Sequence, residues 1–287
     1  MSKRIIAVLA AGLLVTLACR AVTNLTNFAS ATAGPTQTED ISIPVPAQTP
    51  PGLEIIFGAG NLMIAPGAQD ALVSGTATYN VADLKPVVHQ NGANVRLSTG
   101  ELDTTRMPNY GANVKNTWDI KLGNVPMNLT INAGAFQGNI DLGGLSILSL
   151  NAFQGASQVT FDFSSPNQSE MSDLTVQTGA STTRMENLAN ANFANMLFRG
   201  GAGDYTLDFG GTLKRDAKVR IEAGLGQATL IVPEGTSARA NMQGGLTNVS
   251  SSGGWKQTGS DYVLGSGSPQ ITIVVVMGAG SLNLQTK

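Results

Sequence analysis

Gly201-Ala202-Gly203-Asp204-Tyr205-Thr206-Leu207 and Gly224-Leu225-Gly226-Gln227-Ala228-Thr229-Leu230 state one phrase twice: Gly-x-Gly, then residues that alternate polar and apolar. The phrase returns as Gly58-Ala59-Gly60-Asn61-Leu62-Met63-Ile64 and as Gly278-Ala279-Gly280-Ser281-Leu282-Asn283-Leu284. A looser copy is Gly134-Ala135-Phe136-Gln137-Gly138, and Ala-Phe-Gln-Gly recurs at 152–155. Ahead of most copies runs a second alternating stretch, as in Met127-Asn128-Leu129-Thr130-Ile131, Leu174-Thr175-Val176, Val219-Arg220-Ile221-Glu222 and Ile271-Thr272-Ile273. Apolar residues at every second position give a strand one inward face and one Thr/Asn/Arg/Glu outward face.

The spacing predicts how these strands stack. An apolar-Asp-apolar signature falls at Asp141, Asp162 and Asp208, steps of 21 and 46 residues, and a further 23 reaches Ile231. The midpoint of the long step, near Met185-Glu186, carries no clean copy. A period of 21–23 residues is one coil of a β-solenoid, in which a coil buries its apolar face only against its neighbours. Glycines allow sharp corners between short strands. The fold class expected is therefore all-β, a right-handed β-helix-like stack with Gly-rich corners. Between 186 and 200, Leu188, Phe193 and Phe198 recur five residues apart, which predicts a pentapeptide-type coil in preference to an amphipathic helix.

The N-terminus reads as a secretory signal. Lys3 and Arg4 precede an apolar run from Ile5 to Ala18, too short to span a membrane as a mature helix. The run closes on Leu13-Leu14-Val15-Thr16-Leu17-Ala18-Cys19, a relaxed lipobox with Thr16 where leucine is usual. Cys19 is the single cysteine of the chain and the expected lipidation site, so no internal disulfide can form. Residues 1–18 are then the signal peptide and 19–52 a Pro/Thr/Ser tether, with room for an edge strand at Ile41–Val45. The destination is extracytoplasmic, and the lipid on Cys19 is the membrane anchor.

Composition excludes several functions. Charged residues are 13% of the chain and the net charge is −2, so there is no electrostatic footprint for nucleic acid. His89, the lone histidine, precedes an Asn91-Gly92 hairpin turn and has no partner residues for zinc. No Gly-x-Ser-x-Gly elbow nominates a nucleophile. The Gly-x-Gly copies lack the third glycine and the helix of a dinucleotide site. Gly200–Asp208 approaches a calcium-binding nonapeptide, but Tyr205 stands where the sixth-position Asp is needed. Asp141, Asp162 and Asp208 share a register and form an acidic ladder of the kind a polysaccharide-cleaving β-helix uses; alternation alone also places them on the solvent face. Trp118 and Trp255 are available to stack on sugars or to pack. Four Asn-x-Ser/Thr sequons, at Asn24, Asn128, Asn167 and Asn248, follow from the Asn- and Thr-rich composition. The apolar strand Ile271–Met277 needs cover by a partner or by burial on both faces if it lies at an edge.

The order Asn116-Thr117-Trp118-Asp119-Ile120-Lys121-Leu122, then Val125-Pro126-Met127-Asn128-Leu129, then glycine-punctuated coils resembles the bacterial toast-rack family of β-solenoid adhesin domains. It is similar to the C-terminal domain of LiaF-type cell-wall-antibiotic-response proteins. Lys85-Pro86-Val87-Val88 with Asn91-Gly92 resembles the accompanying N-terminal toast-rack domain. The resemblance covers about 53–287, divided into an N-terminal domain over 53–125 and a C-terminal solenoid over 126–287. It implies no catalytic residues and no cofactor or metal. The LiaF-type proteins carry membrane helices where this chain has a lipobox. The function expected is a non-catalytic envelope lipoprotein that binds an envelope polymer, matrix or protein partner. A regulatory partner of a membrane kinase and a polysaccharide-active enzyme are the alternatives.

Overall fold

A computed structural model describes residues 33–100 and 113–287. Its strands are β1 Gln37–Pro44, β2 Gly52–Pro66, β3 Ala71–Tyr79, β4 Pro86–Asn91, β5 Asn94–Thr99, β6 Asn116–Leu122, β7 Met127–Asp141 and β8 Ile147–Asp162. They continue as β9 Met171–Glu186, β10 Phe193–Asp208, β11 Ala217–Val232, β12 Ser237–Gln243, β13 Leu246–Ser251, β14 Lys256–Thr258, β15 Asp261–Leu264 and β16 Gln270–Thr286. Seven long strands, β2, β7, β8, β9, β10, β11 and β16, lie side by side in parallel in that order.

Chain length forces each long strand to fold back. A 15-residue strand such as β7 would run roughly 50 Å if straight. The five residues 142–146 that lead to the parallel β8 reach at most about 18 Å. Straight parallel neighbours need a crossover of a dozen residues or more. Here the strand itself makes the return by turning at its central glycine, so one strand is one coil with two arms.

The burial pattern records that corner as a slip in phase. In β7, Met127, Leu129, Ile131 and Ala133 face inward; Gly134 and Ala135 both face outward; Phe136 and Ile140 face inward again. Strand β11 repeats it, with Val219, Ile221 and Ala223 inside, Gly224 and Leu225 outside, then Ala228, Leu230 and Val232 inside. The two inward sets meet between the arms as one apolar core. The inward residues stack coil on coil, for example Leu53, Leu129, Leu150, Leu174, Met196, Val219 and Ile273. Removing one such side chain to Ala costs about 2–5 kcal/mol.

The corner glycines also form a column. A Cβ on Gly134, Gly155, Gly179, Gly201, Gly224 or Gly278 would run into the carbonyl oxygen of the corner glycine one coil below, starting from Gly58. The steps between successive glycines from Gly134 to Gly224 are 21, 24, 22 and 23 residues, so the period reaches 24. In four coils the next-but-one residue is also glycine, at positive φ: Gly60 at 128°, Gly203 at 156°, Gly226 at 128° and Gly280 at 140°.

Both ends of the stack are covered by the chain itself. Before β7, β5 pairs with the first arm of β2 and β6 with the second, and β3 and β1 extend the second arm. The edge strand expected at Ile41–Val45 is β1, with Ile41 and Ile43 buried. After β11, residues 233–269 supply β12 to the first arm of β16 and β13 to the second. The apolar strand Ile271–Met277 is thus an interior strand and needs no partner to cover it.

Residues 186–200 depart from the sequence expectation. Glu186 ends β9, Leu188–Ala191 form a single 3-10 turn, and Phe193 opens β10. Asn187 and Asn192 flank the turn in the left-handed conformation that asparagine tolerates best after glycine. Leu188, Phe193 and Phe198 do enter the core, but as parts of a turn and a strand, which is neither a pentapeptide coil nor an α-helix.

Candidate functional site

The outward residues of the arms form columns along the stack. On the first arm, Asn128 faces Ser149 (Oγ to Oδ1 2.7 Å), and Asn195 faces Asp173 (3.3 Å). On the second arm, Asn61, Gln137, Gln158, Thr182, Asp204, Gln227 and Ser281 follow one another in register. Charges on these faces are mostly paired within or between coils. Arg96 donates to Glu54 at 2.8 Å, and Arg199 and Arg220 both donate to Glu222, at 2.7 and 2.5 Å. The bond from Arg220, then that from Arg199, holds the Glu222 carboxyl below its usual value. At the outer sheet edge, Lys85 and then Tyr79 do the same to Glu39.

Two of the three aspartates meet at the ends of adjacent coils, Asp141 beside Asp162; Glu186 follows beside Asp162, and Asp208 lies one coil beyond, two coils from Asp162. They are not simple solvent-facing residues. Asp141 accepts from Gly143 N–H (2.9 Å) and from the Ser164 hydroxyl, and Asp162 accepts from Asn187 Nδ2 (2.8 Å). Asp208, 5% exposed, accepts from Gly210 N–H (2.9 Å) and pairs with Lys287. Asp141 and Asp208 brace the turn that follows their own strand, the local role in which Asp excels, and Asp162 braces Asn187 in the turn one coil on.

His89 is exposed on the hairpin β4–β5. The central turn residues of that hairpin are Gly92 and Ala93, with Gly92 at φ 58°, so glycine stands first in the turn, as a II′ turn requires. Trp118 and Trp255 are buried, Trp255 with its indole N–H donating to Gln285 O (3.3 Å), so neither offers a sugar platform. In Gly200–Asp208, Tyr205 points into the core and packs on Phe198 at 5.0 Å between ring centroids. Among the described residues no three His, Cys, Asp or Glu side chains come together as a metal site. Asn167 is 1% exposed, and its amide bonds to the backbone of Ile147 and Ser169, so that sequon is closed to modification. Cys19, residues 1–18 and Asn24 lie outside the described residues.

Two features were not visible in the sequence. The paired Ala-Phe-Gln-Gly copies sit on opposite sides of the corner. Phe136 follows corner glycine Gly134 and is buried, whereas Phe153 precedes corner glycine Gly155 and is 40% exposed. The one-step offset of an alternating strand sends the second Phe outward and Gln154 inward. The core beneath that corner is also polar. Gln154 and Thr178 are buried where other coils place Phe57, Ala133, Ala223 or Met277, and Thr183 where they place Leu62, Ala228 or Leu282; Ser181 is buried beside them.

The profile of the family described as the N-terminal domain of toast_rack, DUF2154, matches residues 32–172 and again 167–231. The chain belongs to this toast-rack family. No curated protein matches it. A crystal structure from Clostridium sporogenes ATCC 15579, named a "putative cell adhesion protein", is similar at 19% identity and a TM-score of 0.52, over 88% of this chain and 100% of that one. A "putative adhesin" from Bacteroides fragilis NCTC 9343 is 12% identical over 89% of this chain and 99% of its own, with a TM-score of 0.32. A "putative lipid binding protein" from Parabacteroides distasonis ATCC 8503 is 11% identical over 88% and 97%, with a TM-score of 0.33. The first supports the toast-rack fold seen here. Among the described residues no helix is long and apolar enough to cross a membrane.

Proposed function

We propose that this toast-rack protein is a non-catalytic cell-envelope lipoprotein, anchored through Cys19, whose solenoid binds an envelope or matrix component along its lateral faces. The observation that carries the reading is the column architecture. Seven coils repeat an outward polar pattern at strand spacing, which suits many weak contacts along an extended partner. The name of the Clostridium sporogenes structure, a "putative cell adhesion protein", points the same way. The aspartates that an enzyme reading needs each accept a hydrogen bond that braces a turn, a structural role that favours the non-catalytic reading.

The test is fractionation and labelling of cells expressing the full chain. Metabolic labelling with a fatty-acid analogue is expected to mark the wild-type protein and not Cys19→Ala. The labelled protein is expected in the membrane fraction and accessible from outside the cytoplasm. An unlabelled wild-type protein would refute the anchor. Failure of the folded body to sediment with purified envelope material would refute the binding role.

A further inference from the structure

The C-terminal end of the stack is out of chain order. Strand β16 lies between β11 and the cap strands β12 and β13, although residues 237–251 precede it in the chain. Ile271 of β16 faces Ala217 of β11 on one side and Ala238 of β12 on the other, and Leu282 likewise faces Ala228 and Val249. Positions 217 and 238 are 21 residues apart, and so are 228 and 249, so both arms of the cap keep one offset from β11. That offset is one coil of this stack, the same as the step from Gly134 to Gly155. The corner agrees: Gly245 follows Gly224 by 21 residues, and a Cβ on it would meet the carbonyl oxygen of Gly278. By period, register and corner, residues 237–251 are the coil that follows β11. They sit one strand further out, with β16 in their place.

The edge of β12 that bonds β16 is the edge that would bond β11 if β16 were absent. Exchanging one partner for the other moves the cap by one strand spacing, about 4.8 Å, and returns its ladder bonds. Among the described residues no cap strand pairs with the stack except through β16, so no other ladder has to break. Apolar bulk gives β16 the place. It sets Ile271, Ile273, Val275 and Met277 over β11, where β12 would bring Ala238, Ala240 and Met242. Two bonds beyond the ladder hold it there: Gln270 N–H donates to Asp216 Oδ1 at 2.8 Å, and Lys287 pairs with Asp208.

We propose that the C-terminal end of the stack has two packings. Residues 237–251 dock first, directly on β11, and β16 then inserts between them and turns that coil into the cap. The first step closes a separation of 21 residues, whereas β16 reaches β11 across 54, and the shorter loop closes at less entropic cost. During synthesis, too, residues 237–251 are available before 270–286. The provisional coil has a purpose: bare, the two-armed edge of β11 is a row of unpaired backbone groups open to other chains. The link Gly265-Ser266-Gly267-Ser268-Pro269, tied to the start of β12 by Gly267 N–H on Ser237 Oγ (2.5 Å), leads the chain back to the insertion point.

The test traps each packing with a disulfide in a Cys19→Ser chain, which has no other cysteine. Lys218 and Thr272 are outward neighbours. Arg239 lies beyond Thr272, two strand spacings or about 10 Å from Lys218, outside disulfide reach in the inserted packing. Asp173 and Lys218 are equally far apart across β10, with no alternative packing to bring them together. During oxidative refolding, Lys218→Cys with Arg239→Cys is expected to close about 10-fold or more faster than Asp173→Cys with Lys218→Cys. The trapped product is expected to leave 270–286 open to hydrogen exchange. Lys218→Cys with Thr272→Cys is expected to close later and to keep the native exchange pattern. Pulse-labelled hydrogen exchange on the unsubstituted chain gives a second readout, in which 237–251 are expected to gain protection before 270–286. A Lys218–Arg239 pair that closes no faster than its control would overturn the proposal. So would protection of 270–286 before, or together with, 237–251.

Discussion

The coils of β8 and β9 and the coils of β11 and β16 occupy equivalent places in one stack and are built differently. In β11 and β16 the corner is Gly-x-Gly and the core beside it is apolar, with Ala223 under Met277 and Ala228 under Leu282. In β8 and β9 the corner is Gly-Ala-Ser, and the core beside it holds Gln154, Thr178, Ser181 and Thr183. The first glycine stays in both because a neighbouring carbonyl occupies the space of its Cβ. The second is glycine only where the backbone turns through positive φ. The backbone therefore demands one glycine per corner, while the remaining positions are free to diverge coil by coil. Such divergence is tolerated because each coil answers only to its two neighbours.

The sharpest way to break this comparison is at the second corner position. Gly203→Val puts a β-branched residue at φ 156° against the carbonyl of Ser181, and a loss of about 4 kcal/mol or more is expected in chemical denaturation. At the equivalent position one coil below, Ser181→Ala removes a hydroxyl bonded to Thr183 (3.1 Å) but strains no backbone, and a change of about 1 kcal/mol is expected. Equal losses would mean that the two corner types are not distinct.

The interior gives a smaller contrast of opposite sign. Ile221→Ala opens a cavity in the apolar region and is expected to cost about 2–4 kcal/mol. Thr178→Val replaces an unpaired buried hydroxyl by a methyl of the same shape and is expected to be neutral or to stabilise by about 1 kcal/mol. A large loss on Thr178→Val would show that its hydroxyl is already paired, by water, in solution.

The smallest effect is electrostatic. Arg220 and Arg199 lower the pKa of Glu222 in the folded chain below its ordinary value of 4.5. The pair therefore adds stability above that value and loses it as pH falls through the folded pKa. Glu222→Gln is expected to flatten the acid limb of a plot of melting temperature against pH, with little change at neutral pH. An acid limb unchanged by the substitution would show that the pairing is too exposed to matter.

Parts of this arrangement are legible in the chain because they obey local rules. The four Gly-x-Gly corners are readable since positive φ and Cβ exclusion leave glycine as the residue that fits. The corners at Gly155 and Gly179 escape the same reading because Ser157 and Ser181 are compatible with the backbone there. The coil at Met185-Glu186 is in register with Phe161-Asp162, but glutamate in place of aspartate hid it. The polar core at these corners escaped because a repeated Ala-Phe-Gln-Gly suggests one repeated environment. The two phenylalanines in fact face opposite ways.

The sequence by itself determined the all-β class, the coil period to within about one residue and which face of most strands turns inward, because alternation and corner geometry act over a few bonded neighbours. Only the tertiary structure decided three other things: that residues 233–269 cover the final coil, that Asp141, Asp162 and Asp208 reach Ser164, Asn187 and Lys287 in other coils, and that Phe153 stands outside a corner whose core is polar. Those depend on register between strands at least 20 residues apart. Register is set by how the stacked coils fill one another's space, which no single stretch of the chain encodes.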